Sequence, residues 1–287
     1  MRLVLVVAAA AALSFTATSH AQTASVASFC NQVAKPGVTE QQLTSGGRAR
    51  TYRLFVPSSY DGHTRLPLVL DLHGSGGNSA GQASNSRFEA LAEREGFLVA
   101  SLQAVDSRWN VPVADGRADD VTYASNVIDH VSTRACLDLK RVYATGFSGG
   151  ARMSSLLACK LSARIAAIAP MSGLRWPGEC DARPVAVITV HGLADPQNTY
   201  DGHAEGRGAE WLESVPEALA GWAKHNGCQP DVILEDPPGP LSTMRYEGCT
   251  GGAEVRLIRV DGLVHRWARD EIDATAAAWE FFRAHSL

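Results

Sequence analysis

Residues 142–150 read VYATGFSGG, and they give the strongest indication of the fold. Its first half is an apolar, strand-like run, and Gly146-Phe147-Ser148-Gly149-Gly150 fits the pattern Gly-x-Ser-x-Gly. Apolar residues with helical spacing follow from Met153 to Leu161. A strand that runs into the motif and a helix that leaves it predict a nucleophile elbow, in which a serine is forced into strained backbone angles. Glycines around it remove Cβ atoms that would clash, so Ser148 is the candidate nucleophile.

The rest of the chain repeats this alternation of strands and helices. Further buried-type strands are predicted at 66–72, 97–102, 185–190 and 254–260, with helical spacing between several of them. This order predicts an α/β fold, with a mostly parallel central sheet and helices on both faces. The chain has 287 residues, of which 45% are hydrophobic, and we expect 48–287 to form a single domain. Residues 22–47 are rich in Ser, Thr, Gln and Gly and are expected to form an irregular lead-in.

The first 21 residues have the features of a secretory signal peptide. Arg2 is followed by an apolar run at 3–13, and Ser19-His20-Ala21 offers a cleavage site with small residues. The run is too short for a membrane span, which needs about 20 apolar residues. We therefore expect a secreted or periplasmic protein.

Charge and motif content exclude several functional classes. The formal net charge of −4 is not that of a nucleic-acid-binding protein, and it argues mildly against a strongly anionic substrate. The sequence contains no His-Glu-x-x-His motif and no dinucleotide fingerprint after the first strand. We expect no metal and no other cofactor.

A serine nucleophile needs a base and an acid, which follow it in this type of fold in the order Ser, Asp or Glu, His. His265 lies just beyond the last predicted strand, where the loops of open α/β sheets form active sites. It is the candidate base, and His203 in a Gly-rich loop is the alternative. Asp195 follows the preceding strand and is the candidate acid, ahead of Asp201 and Asp261.

The oxyanion of an acyl-transfer reaction needs two backbone N–H donors. The first should be the residue after the nucleophile, Gly149, and the second should come from the loop after the early buried strand. That loop reads HGSGG at 73–77. We predict the Ser75 N–H as the second donor, with Gly74 as the alternative.

These motifs together resemble a known family. Residues 52–57 (YRLFVP), 72–74 (LHG), 119–121 (DDV), 141–148 (RVYATGFS) and 169–173 (APMSG) carry the resemblance, with His191-Gly192 and Asp195. The chain resembles the secreted polyhydroxybutyrate depolymerase and feruloyl esterase family of α/β-hydrolases over residues 48–282, which is nearly the whole mature chain. The resemblance implies an α/β-hydrolase fold and places the nucleophile, acid and base on Ser148, Asp195 and His265. The chain departs from the family at Gly149 and around the base, where 262–269 read GLVHRWAR.

Six cysteines in an exported chain favour disulfides, and counting alone allows 15 pairings. Similar cysteines in the family imply Cys228–Cys249. We also predict Cys159–Cys180, which has the same sequence separation, and this leaves Cys30 with Cys136.

The resemblance implies a secreted serine hydrolase that cleaves polymer- or oligomer-derived carboxylic esters through an acyl-enzyme. A β-amide hydrolase of poly(aspartic acid) is the alternative within the class, and a non-catalytic fold that binds a polymer or glycan is the alternative outside it. Trp109 and Trp267 are candidates for an aromatic wall that contacts the substrate.

Overall fold

A computed structural model describes residues 30–31, 34–181, 183–202, 213–235 and 239–287. The predicted signal peptide at 1–21 and the alternative base His203 lie outside the described residues. Among the residues that are described, no helix is long and apolar enough to cross a membrane.

The described strands form one sheet of ten, in the order β1-β2-β4-β3-β5-β6-β7-β10-β9-β8. They are β1 (Gly37–Ser45), β2 (Arg48–Val56), β3 (Leu66–Leu72), β4 (Leu98–Leu102), β5 (Leu137–Phe147), β6 (Ala167–Met171), β7 (Ala186–Gly192), β8 (Ile233–Glu235), β9 (Leu241–Tyr246) and β10 (Val255–Val260). The central strands from β4 to β10 pair in parallel. The outer strands β1, β2, β9 and β8 pair antiparallel.

Helices cover both faces of this sheet. They are α1 (Ser79–Ser86), α2 (Phe88–Glu95), α3 (Asp120–Ser132), α4 (Gly149–Lys160), α5 (Val215–His225) and α6 (Ala274–Arg283). Every residue of β3 is buried, and its successive side chains enter two different hydrophobic clusters: Leu68 and Leu70 pack with α3, α4 and α5, whereas Val69 packs with α2 and α6. The predicted α/β fold is therefore confirmed.

The expectation of an irregular segment at 22–47 is wrong for Gly37–Ser45, which form β1. This strand pairs with β2 along its whole length. A turn at Gly46 and Gly47 connects the two strands, and both glycines have positive φ. Its inward-facing side chains are mostly polar: Gln41 accepts a hydrogen bond from Arg134, and Ser45 accepts one from Asn126. A polar edge strand lacks the apolar alternation by which strands are recognised in a sequence.

The six cysteines form three disulfides: Cys30–Cys136, Cys159–Cys180 and Cys228–Cys249. These are the pairs named in the sequence analysis. Cys136 lies directly before β5, Cys159 lies near the end of α4, and Cys228 follows α5. Each bridge therefore ties a residue at or near the end of a helix or strand to another segment of the chain.

Candidate active site

The three candidate catalytic residues follow three strands of the parallel block. Ser148 follows β5, Asp195 follows β7 and His265 follows β10. Because parallel strands end at the same edge of a sheet, their loops meet there. The strand order β5-β6-β7-β10 places these three loops side by side.

Ser148 sits in the predicted elbow between β5 and α4. Its φ is 54° and its ψ is −111°, a conformation that costs energy for any residue with a Cβ atom. Its N–H donates to the carbonyl oxygen of Met171 on β6, at 3.0 Å. The surrounding glycines are required by space, because a Cβ on Gly146 would lie 2.6 Å from the carbonyl oxygen of Gly150, and one on Gly150 would overlap the carbonyl oxygen of Leu72.

The structure brings His265 to Asp195. The ring nitrogen Nδ1 of His265 lies 2.7 Å from Oδ2 of Asp195, whose side chain is fully buried. An acceptor-only carboxylate at this nitrogen fixes the proton on Nδ1 and leaves Nε2 as the basic nitrogen. The His265 ring also packs against Phe147, the residue before the serine, with the ring centres 4.7 Å apart.

Asp195 is held as a carboxylate by hydrogen bonds. Burial alone raises the pKa of Asp195, but the hydrogen bonds from His265 and from the backbone N–H groups of Asn198 and Gln197 outweigh it, so the net pKa is lowered. The two backbone groups donate to Oδ1 at 2.9 Å and 2.8 Å. Oδ2 accepts the hydrogen bond from Nδ1 of His265, so both carboxylate oxygens are hydrogen-bonded.

Two residues that the sequence motifs did not identify hold the acid loop. His191 at the end of β7 is completely buried, and its Nε2 donates to the carbonyl oxygen of Asn198 at 2.8 Å. Burial lowers the pKa of His191 to about 4, so its 3.8 Å approach to Asp195 is not an ion pair at neutral pH. The side-chain amide of Asn198 donates to the carbonyl oxygen of Ser172. The sequence signal for this role was the His191-Gly192 pair ahead of the acid.

The two predicted oxyanion donors lie next to each other. A Cβ on Gly149 would come within 3.1 Å of the backbone nitrogen of Ser75. The loop that contains Ser75 is held by His73, whose structural role could not be inferred from the HGSGG motif. Nδ1 of His73 donates to the carbonyl oxygen of Gly74 at 2.8 Å, and Nε2 accepts from the N–H of Ala104 at 3.1 Å. Burial lowers the pKa of His73, which keeps this ring neutral.

The two predicted tryptophans differ in position. Trp109 lines the cavity above Ser148, and its Nε1 donates to the carbonyl oxygen of His73 at 2.7 Å. Trp267 is packed in the core against Phe88 and donates to Thr275, and it is not among the described residues that line the cavity. The prediction that Trp267 contacts substrate is therefore wrong, because the ring points into the hydrophobic layer under α6.

The cavity has a volume of about 890 Å³ and is open to solvent. Ser148, His265, Ser75 and Asn198 all contribute to its wall. Among the described residues, the His, Cys, Asp and Glu side chains form no group of three that could hold a metal ion. The wall brings together a serine hydroxyl, an imidazole and several guanidinium groups.

The chain is similar to several known proteins. Residues 50–207 match the family model described as esterase PHB depolymerase. Feruloyl esterase B of Piromyces equi is 30% identical over 248 residues, which cover 80% of this chain but only 44% of that protein. A probable feruloyl esterase C of Aspergillus niger is 29% identical over 266 residues, covering 87% of this chain and 91% of that protein.

Solved structures show the same fold at low sequence identity. An acetyl xylan esterase from Aspergillus awamori has a TM-score of 0.60 and 16% identity, and covers 85% of this chain and 99% of that one. A thermostable esterase has a TM-score of 0.57 and 16% identity, and covers 87% of this chain and 63% of that one. The chain therefore belongs to the esterase PHB depolymerase family, and it is a carboxylic ester hydrolase with an α/β-hydrolase fold.

Proposed function

We propose that this hydrolase works through an acyl-enzyme, with Ser148 as nucleophile, His265 as base and Asp195 as the acid that orients it. The observation that carries the proposal is the 2.7 Å contact between Nδ1 of His265 and buried Asp195, at the sheet edge where Ser148 occupies a strained turn. This arrangement gives each residue one task in the reaction.

In the proposed reaction, Oγ of Ser148 attacks the ester carbonyl carbon while Nε2 of His265 takes its proton. The negative charge that forms on the carbonyl oxygen is stabilised by the N–H groups of Gly149 and Ser75, and one such donor is worth about 2.7–4 kcal/mol in other hydrolases. The C–O bond to the alcohol then breaks, and His265 returns the proton to the leaving oxygen. Water, deprotonated by His265, attacks the acyl-enzyme and releases the acid and Ser148.

We propose a polymer- or oligomer-derived ester as the substrate. A second cavity of about 660 Å³ adjoins the first, and Val111 and Arg152 line both. The combined space suits a chain longer than a single ester unit. Trp109 contributes an aromatic surface to the first cavity, and Trp176 contributes one to the second.

We also propose that the protein is exported. The three disulfides form readily in an oxidising compartment and are rare in the cytosol. The apolar run at 3–13 supports export independently of the disulfides.

The test is a comparison of kcat/KM on purified protein without residues 1–21. Methyl ferulate, para-nitrophenyl acetate, short oligomers of hydroxybutyrate and poly(aspartic acid) make up the panel, and each rate is corrected for spontaneous hydrolysis. We expect ester cleavage, with kcat/KM rising from a monomeric ester to an oligomer of the same unit. A higher kcat/KM for poly(aspartic acid) than for every ester would favour the β-amide alternative, and no gain with chain length would contradict an extended site.

A further inference from the structure

The charges around the first cavity differ from those of the whole chain. The chain has a net charge of −4, yet the described wall carries four arginines, Arg48, Arg108, Arg117 and Arg152, and one aspartate, Asp106. A cleft lined by one sign of charge focuses the electric potential and concentrates ligands of the opposite sign. The site of a slightly acidic protein is therefore locally cationic.

Two of these arginines belong to the segment between β4 and α3, and the position of one is fixed. The guanidinium of Arg117 donates to the carbonyl oxygen of Trp109 at 2.7 Å, which holds it against the cavity wall. Within the part of the chain that the structure describes, no carboxylate lies within ion-pair distance of Arg48, Arg108 or Arg117. Among the described residues, none of these three guanidinium charges is therefore neutralised by an ion pair.

The segment that presents them is anchored in the core. Arg50 and Asp120 form a fully buried ion pair at 2.6 Å, and the other oxygen of Asp120 accepts the N–H of Asn110 at 2.7 Å. The side chain of Asn110 in turn bonds the N–H and the carbonyl oxygen of Ala114. Loss of one partner of such a buried pair is strongly destabilising, so the wall is a built feature of the fold.

We infer that the substrate of this site carries a carboxylate close to the scissile ester, bound by the arginines of the cavity wall. Guanidinium groups bind carboxylates through paired, charge-assisted hydrogen bonds, whereas a neutral ester makes no comparable contact. The inference rests on the proposed function for its position beside Ser148. The net charge of −4 argued mildly against a strongly anionic substrate. That expectation does not apply to this cavity, because net charge does not describe a local surface.

Two matched pairs of esters test the inference. Mono-para-nitrophenyl adipate is compared with its methyl ester for an acyl-side carboxylate, and para-acetoxybenzoate is compared with its methyl ester for an alcohol-side carboxylate. Each kcat/KM is divided by the rate of alkaline hydrolysis of the same compound. We expect the anionic member of at least one pair to be preferred about tenfold at low ionic strength, and the preference to shrink in molar salt.

Variants locate the effect. Arg108→Gln and Arg117→Gln, alone and together, should lower the ratio of anionic to neutral kcat/KM, and the double variant should lower it most. The matched control is Arg94→Gln, because Arg94 is exposed on α2 and lies outside the cavity. Equal rates within both pairs, or a preference that the double variant retains in full, would overturn the inference.

A binding measurement separates this inference from the proposed function. Uncleaved amide analogues of the preferred pair are titrated calorimetrically into Ser148→Ala, so that no hydrolysis is required. Tighter binding of the carboxylate than of its methyl ester supports the inference even if Ser148 proves not to be the nucleophile. Equal dissociation constants would overturn it even if ester hydrolysis by Ser148 is established.

Discussion

The loops that carry Ser148 and Asp195 leave the same edge of the sheet, but different forces hold them. The serine loop is held by backbone contacts so close that Gly146 and Gly150 have no room for a Cβ atom. The acid loop, which follows β7, is held by hydrogen bonds from His191, Asn198 and backbone N–H groups. The first loop therefore depends on the absence of side chains and the second on their presence.

This difference separates the effects of mutation. A methyl group added to the serine loop should act on folding, because it displaces backbone. A polar group removed from the acid loop should act on the orientation of His265 and on the response to pH.

Gly150→Ala should prevent the accumulation of folded protein. The new Cβ would overlap the carbonyl oxygen of Leu72, and a backbone atom of β3 cannot move aside as a side-chain end can. The control is Gly81→Ala in α1, where the nearest atom to the new Cβ is Asn78 Oδ1 at 3.3 Å. Soluble yield and thermal unfolding compare the two. Normal folding of Gly150→Ala would show that the elbow is looser than its geometry indicates.

Asp195→Asn should lower kcat by about four orders of magnitude with the fold intact. An amide in place of the carboxylate can present its NH2 group to His265, which favours the wrong tautomer of the imidazole. Asp261→Asn is the control, because Asp261 is exposed and was the weaker candidate acid. The measurement is kcat on para-nitrophenyl acetate, and equal losses in both variants would remove the special role of Asp195.

Asn198→Ala should lower kcat by about tenfold to a hundredfold. The variant loses the amide contact with Ser172, which ties the acid loop to the end of β6, but it keeps the backbone N–H that donates to Asp195. Small misplacements of catalytic groups cost rates of this size. Because Asn198 also lines the cavity, kcat and KM are determined separately on substrates of two sizes. A change confined to KM would assign Asn198 to binding instead of positioning.

His191→Gln should reduce the loss of stability that the protein shows in acid. Burial lowers the pKa of His191 to about 4, below the value of about 6.5 expected in the unfolded chain. Between these values the unfolded chain binds the extra proton, so the free energy of unfolding falls as the pH drops through this window and is unaffected above it. Glutamine does not titrate and can still donate to the carbonyl oxygen of Asn198. The free energy of unfolding of the variant should therefore fall less than that of wild type as the pH drops.

Urea unfolding at several pH values between about 7 and 4 measures the difference between wild type and His191→Gln. Burial also lowers the pKa values of His73 and His130, but both residues are present in both proteins and their contribution cancels. Parallel curves for the two proteins would contradict the assignment of this acid sensitivity to His191.

The two loops also differ in how far their geometry could be predicted from the sequence. The elbow is a local feature: a strand, a glycine-flanked serine and a helix occur within one short stretch, so its geometry could be inferred from residues 142–150. The central strands are apolar on both faces, which made the parallel sheet predictable, whereas polar β1 was missed. The local sequence pattern was therefore sufficient to predict the strands whose residues are all buried.

Long-range contacts could not be inferred in the same way. Asn198 and Ser172 are far apart in the sequence, and only the folded sheet brings them together. Trp267 stands two residues after the base, yet its ring turns into the core because it packs against Phe88. The cationic wall was hidden by the net charge, since arginines from separate segments meet only around the cavity.

Covalent trapping shows whether Ser148 is the residue that becomes acylated. Wild type, Ser148→Ala and Ser154→Ala are treated with a para-nitrophenyl phosphonate ester and examined by intact-mass and peptide mass spectrometry. Ser154 is the matched control, because it lies on α4, the helix that Ser148 precedes, and its buried hydroxyl donates to the carbonyl oxygen of Ala151. We predict one phosphonyl group on Ser148 in wild type and in Ser154→Ala, and none in Ser148→Ala. A label on another residue, or undiminished ester hydrolysis by Ser148→Ala, would contradict the assignment of Ser148 as the nucleophile.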